Sequence, residues 1–280
     1  MSPASQYLEA VLLGVLQGIA EFLPVSSSGH LVLARAVLDA ATGREFDPEG
    51  NRLLVVVLHL GTLGSILWAY RKELWETVAN PRYVACIVLS TLPLVAIALT
   101  PLKDRLNESF NRPDVAAFCL LLTAALLLAG QWLANRRTEL AAAVRSEGEA
   151  PSKDVGLPTA VAIGLFQAFA LLPGMSRSGS TIAGGLMCGM GREEAVRFSL
   201  MIGVPAIAGA GTLEARDLVE SGVSLGTLPI GPLLLGAAVS FVVGVAAISL
   251  LRRAVSNDRL HWFAAYCATV GAAALIWQLL

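Results

Sequence analysis

The sequence predicts an all-α integral membrane protein: six transmembrane helices plus two re-entrant helical hairpins in an inverted-topology repeat. Three observations carry that prediction. Of the 280 residues, 55% are hydrophobic and 15% charged, with a mean hydropathy of +0.67, whereas soluble domains hold about 25% charged residues. Six segments, about 53–70, 83–101, 114–134, 198–214, 230–251 and 260–279, are long and free of internal charge. A stretch at 14–31, GVLQGIAEFLPVSSSGHL, returns at 164–181 as GLFQAFALLPGMSRSGST.

A helix needs roughly 20 apolar residues to cross a ~30 Å hydrocarbon core, with ~17 as the lower limit, so all six segments can span. Segments 7–22 and 157–172 are marginal. Each stops at a proline, Pro24 or Pro173, and a short second helix follows near 28–38 or 179–190. Such an interrupted pair reads as a re-entrant hairpin, because unwound backbone at membrane depth survives only inside protein or beside a wet cavity. Each half then holds one hairpin and three spans, and an odd number of crossings inverts the second half. Repeat 1 covers about 1–134, a polar linker 135–156, and repeat 2 about 157–280, in a single membrane domain. Gly61-Thr62-Leu63 and Gly211-Thr212-Leu213 match weakly at the same offset.

The excess of Lys and Arg orients the chain. Arg71, Lys72, Arg82, Arg136, Arg137, Arg145, Lys153, Arg192, Arg197, Arg252, Arg253 and Arg259 fall on one face, which is expected to be cytoplasmic. Arg44, Arg52, Lys103, Arg105, Arg112 and Arg216 fall on the other; Arg35 and Arg177 belong to the hairpins. Both termini are then outside. The opening MSPASQYLEA lacks the basic region of a cleaved signal peptide, so the first apolar segment is expected to stay. The net charge of −1 and the lack of a basic tract give no sign of nucleic-acid binding. Cys86, Cys119, Cys188 and Cys267 are scattered without metal-ligand spacing and read as buried small hydrophobes.

Charged groups at membrane depth are costly, about 2.5–3.5 kcal/mol on insertion scales, and mark function by default. The candidates are Glu21, His30 and Arg177, with His59 as a fourth that reads as structural. Gln17 and Glu21 share a helix face by their spacing of four. Ser26, Ser27 and Ser28 supply hydroxyls, and His30 opens the next helix, placed for acid/base work. In the second hairpin Gly174, Ser176, Ser178, Gly179, Ser180 and Thr181 surround Arg177 at a helix N-terminus. Backbone N–H groups, hydroxyls and a guanidinium make an anion site suited to phosphate. Either Ser-rich turn alone would read as a helix cap, and Gln17 and Gln167 alone as helix–helix contacts. Together, the two tips with Glu, His and Arg read as one composite site.

Over nearly its whole length the chain resembles the undecaprenyl-diphosphate phosphatase family, the bacitracin-resistance type of bacterial membrane enzyme. The likeness is sharpest at Gln17-xxx-Glu21-Phe-Leu-Pro-Val-Ser-Ser-Ser-Gly-His30 and Leu-Pro-Gly174-Met-Ser-Arg-Ser-Gly-Ser-Thr181. It implies hydrolysis of a polyprenyl diphosphate lipid to the monophosphate, recycling the carrier of cell-wall glycans at the inner membrane, with the site open to the periplasm. It places the family's acidic motif on Gln17 and Glu21, its serine on Ser27, its histidine on His30, and its phosphate-binding motif on Ser176, Arg177, Ser178 and Thr181. Many members carry Glu where this chain has Gln17, so the implied divalent cation, Mg²⁺ or Ca²⁺, is held with fewer charges.

On this reading Arg177, with Ser26, Gly174, Ser176, Ser178 and Thr181, clamps the diphosphate. Ser27 is the nucleophile, activated by His30, with Glu21 orienting the His or binding the cation. Direct attack by water is the alternative. Type-2 phosphatidic acid phosphatases share a Ser-Gly-His triplet but expect a second His where this chain has Ala183. An inverted repeat also fits a flippase of a phosphorylated lipid. Homodimerisation is left open by the sequence.

Overall fold

The computed structural model describes residues 3–42, 48–144, 155–220 and 229–279. The regular structure there is all helical: α1 (Pro3–Ala20), α2 (Ser27–Thr42), α3 (Pro48–Ala69), α4 (Arg71–Ala79), α5 (Pro81–Ala98), α6 (Leu102–Ser109), α7 (Pro113–Val144), α8 (Leu157–Phe169), α9 (Arg177–Met187), α10 (Arg192–Glu220), α11 (Ile230–Ser256) and α12 (Leu260–Leu279). Helix starts follow local chemistry. Pro81 opens α5 behind Asn80, whose side chain accepts from the Arg82 and Tyr83 amides, pairing a cap with the residue whose missing N–H costs nothing there.

Five helices, α5, α7, α10, α11 and α12, carry stretches long and apolar enough to cross a membrane. The sixth expected span is divided differently: residues 53–69 lie in α3, and α4 follows at a bend of 77°. Arg71, Lys72 and Glu73 open α4. Two further expectations change. The stretch from 135 begins as helix, since α7 runs on to Val144, and 145–154 of the expected linker lie outside the described residues, as does Arg44. Cys188 is exposed, unlike Cys86, Cys119 and Cys267, because it sits past the end of α9, in the turn closed by Gly189 at φ +92°.

The packing is reciprocal. α1 lies on α11 and α8 on α5; α3 pairs with α10, and α7 with α12. Small residues permit these approaches, as in membrane helix pairs generally. A Cβ on Gly14 would stand 2.8 Å from the Gly236 carbonyl, and one on Gly164 would stand 2.8 Å from the Ser90 carbonyl. Phe22, Ile66, Leu120, Ile182, Phe198 and Met201 fill the centre around the hairpin tips. The outside remains apolar, with Leu12, Trp68, Phe118, Trp132, Leu165, Leu234, Val242 and Trp262 exposed. A surface of that kind is covered by lipid, not water.

Candidate active site

The two tips cap their second helices alike. Beyond α1 the chain closes with Glu21 N–H to the Gln17 carbonyl (2.9 Å) and Leu23 N–H to that of Ile19 (3.1 Å). Ser26, at φ +69°, then caps α2 by accepting from the Gly29 amide at 3.2 Å. Beyond α8 the turn passes through Gly174 at φ +91°, and Ser176 caps α9 by accepting from the Gly179 amide at 3.1 Å. The tips touch. Ser26 Oγ donates to the Met175 carbonyl (3.4 Å) and Ser178 Oγ to the Leu23 carbonyl (3.3 Å). A Cβ on Gly29 would lie 2.7 Å from Gly174 Cα, so only glycine fits at that joint.

At the joint, one carboxylate gathers groups from both tips. Arg177 Nη2 donates to Glu21 Oε1 at 2.8 Å. Gln17 Nε2 (3.0 Å) and Ser27 Oγ (3.3 Å) donate to Oε2. The Glu21 and Arg177 side chains are 9% and 14% exposed, a nearly buried ion pair whose attraction is strong and whose loss on one side would strand a charge. Arg177 Nη1 also donates to the Ser199 carbonyl at 3.2 Å. The guanidinium lies against Gly203, where a side chain would collide with it.

The other sequence candidates are placed differently. Ser26, Ser176, Ser178 and Thr181 are buried, with hydroxyls engaged in caps and neighbours. Ser26 and Ser28 share a hydrogen bond at 3.3 Å and Ser176 and Ser178 one at 3.2 Å. Thr181 Oγ1 donates to the Arg177 carbonyl at 2.8 Å and lies 2.6 Å from Ser199 Oγ. Gly174 packs on Ala116, and its carbonyl accepts from Thr123 at 3.0 Å.

His30 does not meet Ser27 or Glu21 through a hydrogen bond. Its Nδ1 is 2.7 Å from the Ser26 carbonyl and its Nε2 2.7 Å from the Tyr266 hydroxyl. The group at Ser27 is Glu21, not the His expected there, because the Ser26 carbonyl, four residues before His30, captures the imidazole. His59, read as structural, stands with Nε2 3.8 Å from Glu21 Oε2 and Nδ1 2.8 Å from the Val55 carbonyl. Its sequence neighbours are apolar, and only its depth in a span marked it. Ser199, Gly203 and Tyr266 left no local signal.

Among the described residues no three His, Cys, Asp or Glu side chains gather as a metal cluster. The oxygens at the joint are the Glu21 carboxylate and the Ser27 hydroxyl, and Gln17, which turns its Nε2 to Glu21, carries an amide oxygen as a third candidate. That set suits a hard cation which completes its shell with phosphate oxygens.

The family model for bacitracin resistance protein BacA matches residues 10–273. The chain belongs to the BacA family. Proteins named undecaprenyl-diphosphatase are similar to it throughout. One from Rhodopirellula baltica is 40% identical over 267 residues, covering 95% of this chain and 96% of that protein. Those from Desulfatibacillum aliphaticivorans and Alkaliphilus metalliredigens are 37% and 34% identical, covering 96% and 97% of this chain and 98% of each relative. The BacA match contains both hairpin tips and every residue that meets Glu21.

Proposed function

We propose that this chain hydrolyses undecaprenyl diphosphate to undecaprenyl phosphate and inorganic phosphate, recycling the lipid carrier of peptidoglycan synthesis. Removing the diphosphate lipid is also how a member of a bacitracin-resistance family protects its cell. The observation that carries the reading is the Glu21 carboxylate shared between Ser27 and Arg177 where the tips meet. A nucleophile and a phosphate-binding cation both stand within hydrogen-bond reach of one base.

In this mechanism the terminal phosphate enters beside Arg177, which turns from Glu21 to the phosphate oxygens and stabilises the charge spread in transfer. Ser27 Oγ attacks the terminal phosphorus and its proton passes to Glu21. The P–O bond to undecaprenyl phosphate breaks, leaving a phosphoserine. Water then attacks that phosphorus and gives its proton to His30, while Glu21 returns a proton to the departing Ser27 oxygen. Ser26, Gly174, Ser176, Ser178 and Thr181 hold the two helix N-termini at the phosphate. A divalent cation, Mg²⁺ or Ca²⁺, would be held by Glu21, the Gln17 amide oxygen and the diphosphate, and would neutralise phosphate charge.

The finer architecture belongs to the same proposal: six spans, two re-entrant hairpins, and repeats of about 1–134 and 157–280 inverted relative to each other. Its support is where the hairpin ends pack. The start of α8 meets the start of α5, with Cys86 Sγ 3.3 Å from the Val155 carbonyl, and the end of α9 meets α7, with Arg137 donating to the Leu186 carbonyl at 2.9 Å. Both contacts lie at the face rich in Lys and Arg, the cytoplasmic one. The start of α1 packs at the opposite end, with Ala10 against Leu54 and Leu58 of α3. On this orientation the first hairpin enters from the periplasm and the second from the cytoplasm, and the site between them is proposed to open to the periplasm.

The test is phosphate release from undecaprenyl diphosphate by purified protein in detergent, with Arg177→Ala and Ser27→Ala beside it. Release by the parent and its loss in both variants supports the reading. No release, together with lipid translocation in liposomes, overturns it in favour of a flippase, which needs anion binding but no nucleophile.

A further inference from the structure

His30 has a fixed tautomer. A carbonyl oxygen can only accept, so the 2.7 Å contact with Ser26 makes Nδ1 the protonated nitrogen. Neutral His30 then carries its lone pair on Nε2, and that nitrogen is met by the Tyr266 hydroxyl at 2.7 Å. The two rings are stacked, with centroids 5.5 Å apart and planes 5° from parallel. Tyr266 belongs to α12, which is registered against the first tip by Cys267 Sγ, 3.5 Å from the Pro24 carbonyl. Of the charged groups at the ends of α1 and α7, the helices packed on α2, Glu21 just beyond α1 is held by Arg177 and Asp114 at the start of α7 by Arg112.

We infer that Tyr266 is the positioning residue of His30, contributed across the repeat boundary: it presents Nε2 as the basic nitrogen and releases it when water enters. A hydrogen bond from one side and a stacked face fix the plane of the imidazole, which its bond to Ser26 alone leaves free to tilt. Tyr266 is 45% exposed, so the phenol can swing aside without unpacking α12. The second tip has no counterpart. At the same offset Ala116 stands for Tyr266 and Ser180 for His30, and the buried Ser180 hydroxyl has no hydrogen-bond partner.

This inference rests on the acid/base role given to His30 above, and it is tested with Tyr266→Phe in the full-length protein. The chain has three histidines, so ¹⁵N-histidine labelling gives three ring systems, with His30 assigned by its disappearance in His30→Gln. In Tyr266→Phe the Nε2 signal of His30 is expected to move while those of His59 and His261 stay. Phosphate release should fall about tenfold in kcat with KM little changed, the size of one lost hydrogen bond, and the pH–rate limb should shift. In a His30→Gln background Tyr266→Phe should cost nothing further, whereas a purely structural role would add. Unchanged His30 signals and an unchanged pH profile overturn the inference. If the parent releases no phosphate, the hydrolase reading fails, yet the ¹⁵N spectra still decide whether Tyr266 holds His30.

Discussion

The two hairpin tips share a capping pattern but differ in turn geometry and in chemistry: Ser26 is at φ +69° and its counterpart Ser176 at φ −75°. Ser26 and Ser176 cap their helices in the same way, through Gly29 and Gly179. Ser27 and Arg177 occupy matched positions at the first residue of each capped helix, and both reach the same carboxylate, from opposite oxygens. Elsewhere the copies part. Leu171 stands where the first tip has Glu21, and Ser180 where it has His30. Two polar atoms of the second tip are buried without a partner. Gln17 donates to Glu21, whereas its counterpart Gln167 donates to the Ser90 carbonyl at 3.1 Å and leaves its Oε1 unpartnered; Ser180 Oγ is the other such atom. A duplicated scaffold thus brings two helix N-termini to one joint, and divergence at a few side chains gives one tip the carboxylate and the Ser27 hydroxyl and the other the guanidinium.

The largest expected effect comes from breaking the pair that joins the tips. Arg177→Ala and Glu21→Ala should each abolish phosphate release, by 10³-fold or more, since each removes charge stabilisation or the base. Each should also destabilise by about 3–5 kcal/mol, because the surviving partner is a buried unpaired charge. The double variant should be less destabilised than the sum of the two, which thermal unfolding in detergent can measure. Arg177→Lys should restore little, because an ammonium cannot engage Glu21 and the Ser199 carbonyl as a planar fork does.

Next in size is Gly203→Ala. A methyl there intrudes on the guanidinium, so activity should drop while the fold survives; parental kinetics would show that Arg177 has another seat. Smaller still are the caps. Ser26→Ala and Ser176→Ala should each cost about 1 kcal/mol, and a matched loss of stability in the two would sharpen the view that the tips share one scaffold. A marked inequality would break it.

The smallest effect lies far from both tips. Burial acts to raise the Asp258 carboxyl, but hydrogen bonds from Asn135 and Arg192 outweigh it and hold the group below the usual carboxylate range. A carboxylate lowered in the folded state adds stability that is complete above its unfolded value and is lost as pH falls below about 4. Asp258→Asn should therefore flatten the acid limb of stability against pH and leave activity unchanged.

The fold was largely legible because membrane spans follow from composition and length. The expected segments 114–134, 198–214, 230–251 and 260–279 all fall within helices, and 83–101 runs past the end of α5 at Ala98. The bend after Ala69 and the continuation of α7 to Val144 were not legible, since both depend on where an interface and neighbouring helices stand. At the site, Gln17, Glu21, Ser27 and Arg177 were named from two short motifs, and they do converge. His59 was set aside because nothing adjacent in sequence pairs with it.

By itself, then, the sequence determined the helices, the duplicated turns, and the short roster of polar groups kept at membrane depth at a cost in solvation. Which of those groups meet was decided by tertiary structure alone. Glu21 and Arg177 are 156 residues apart, and His30 and Tyr266 are 236 apart. A hydrogen bond acts over about 3 Å of space, and no local pattern records which remote helix will supply its other end.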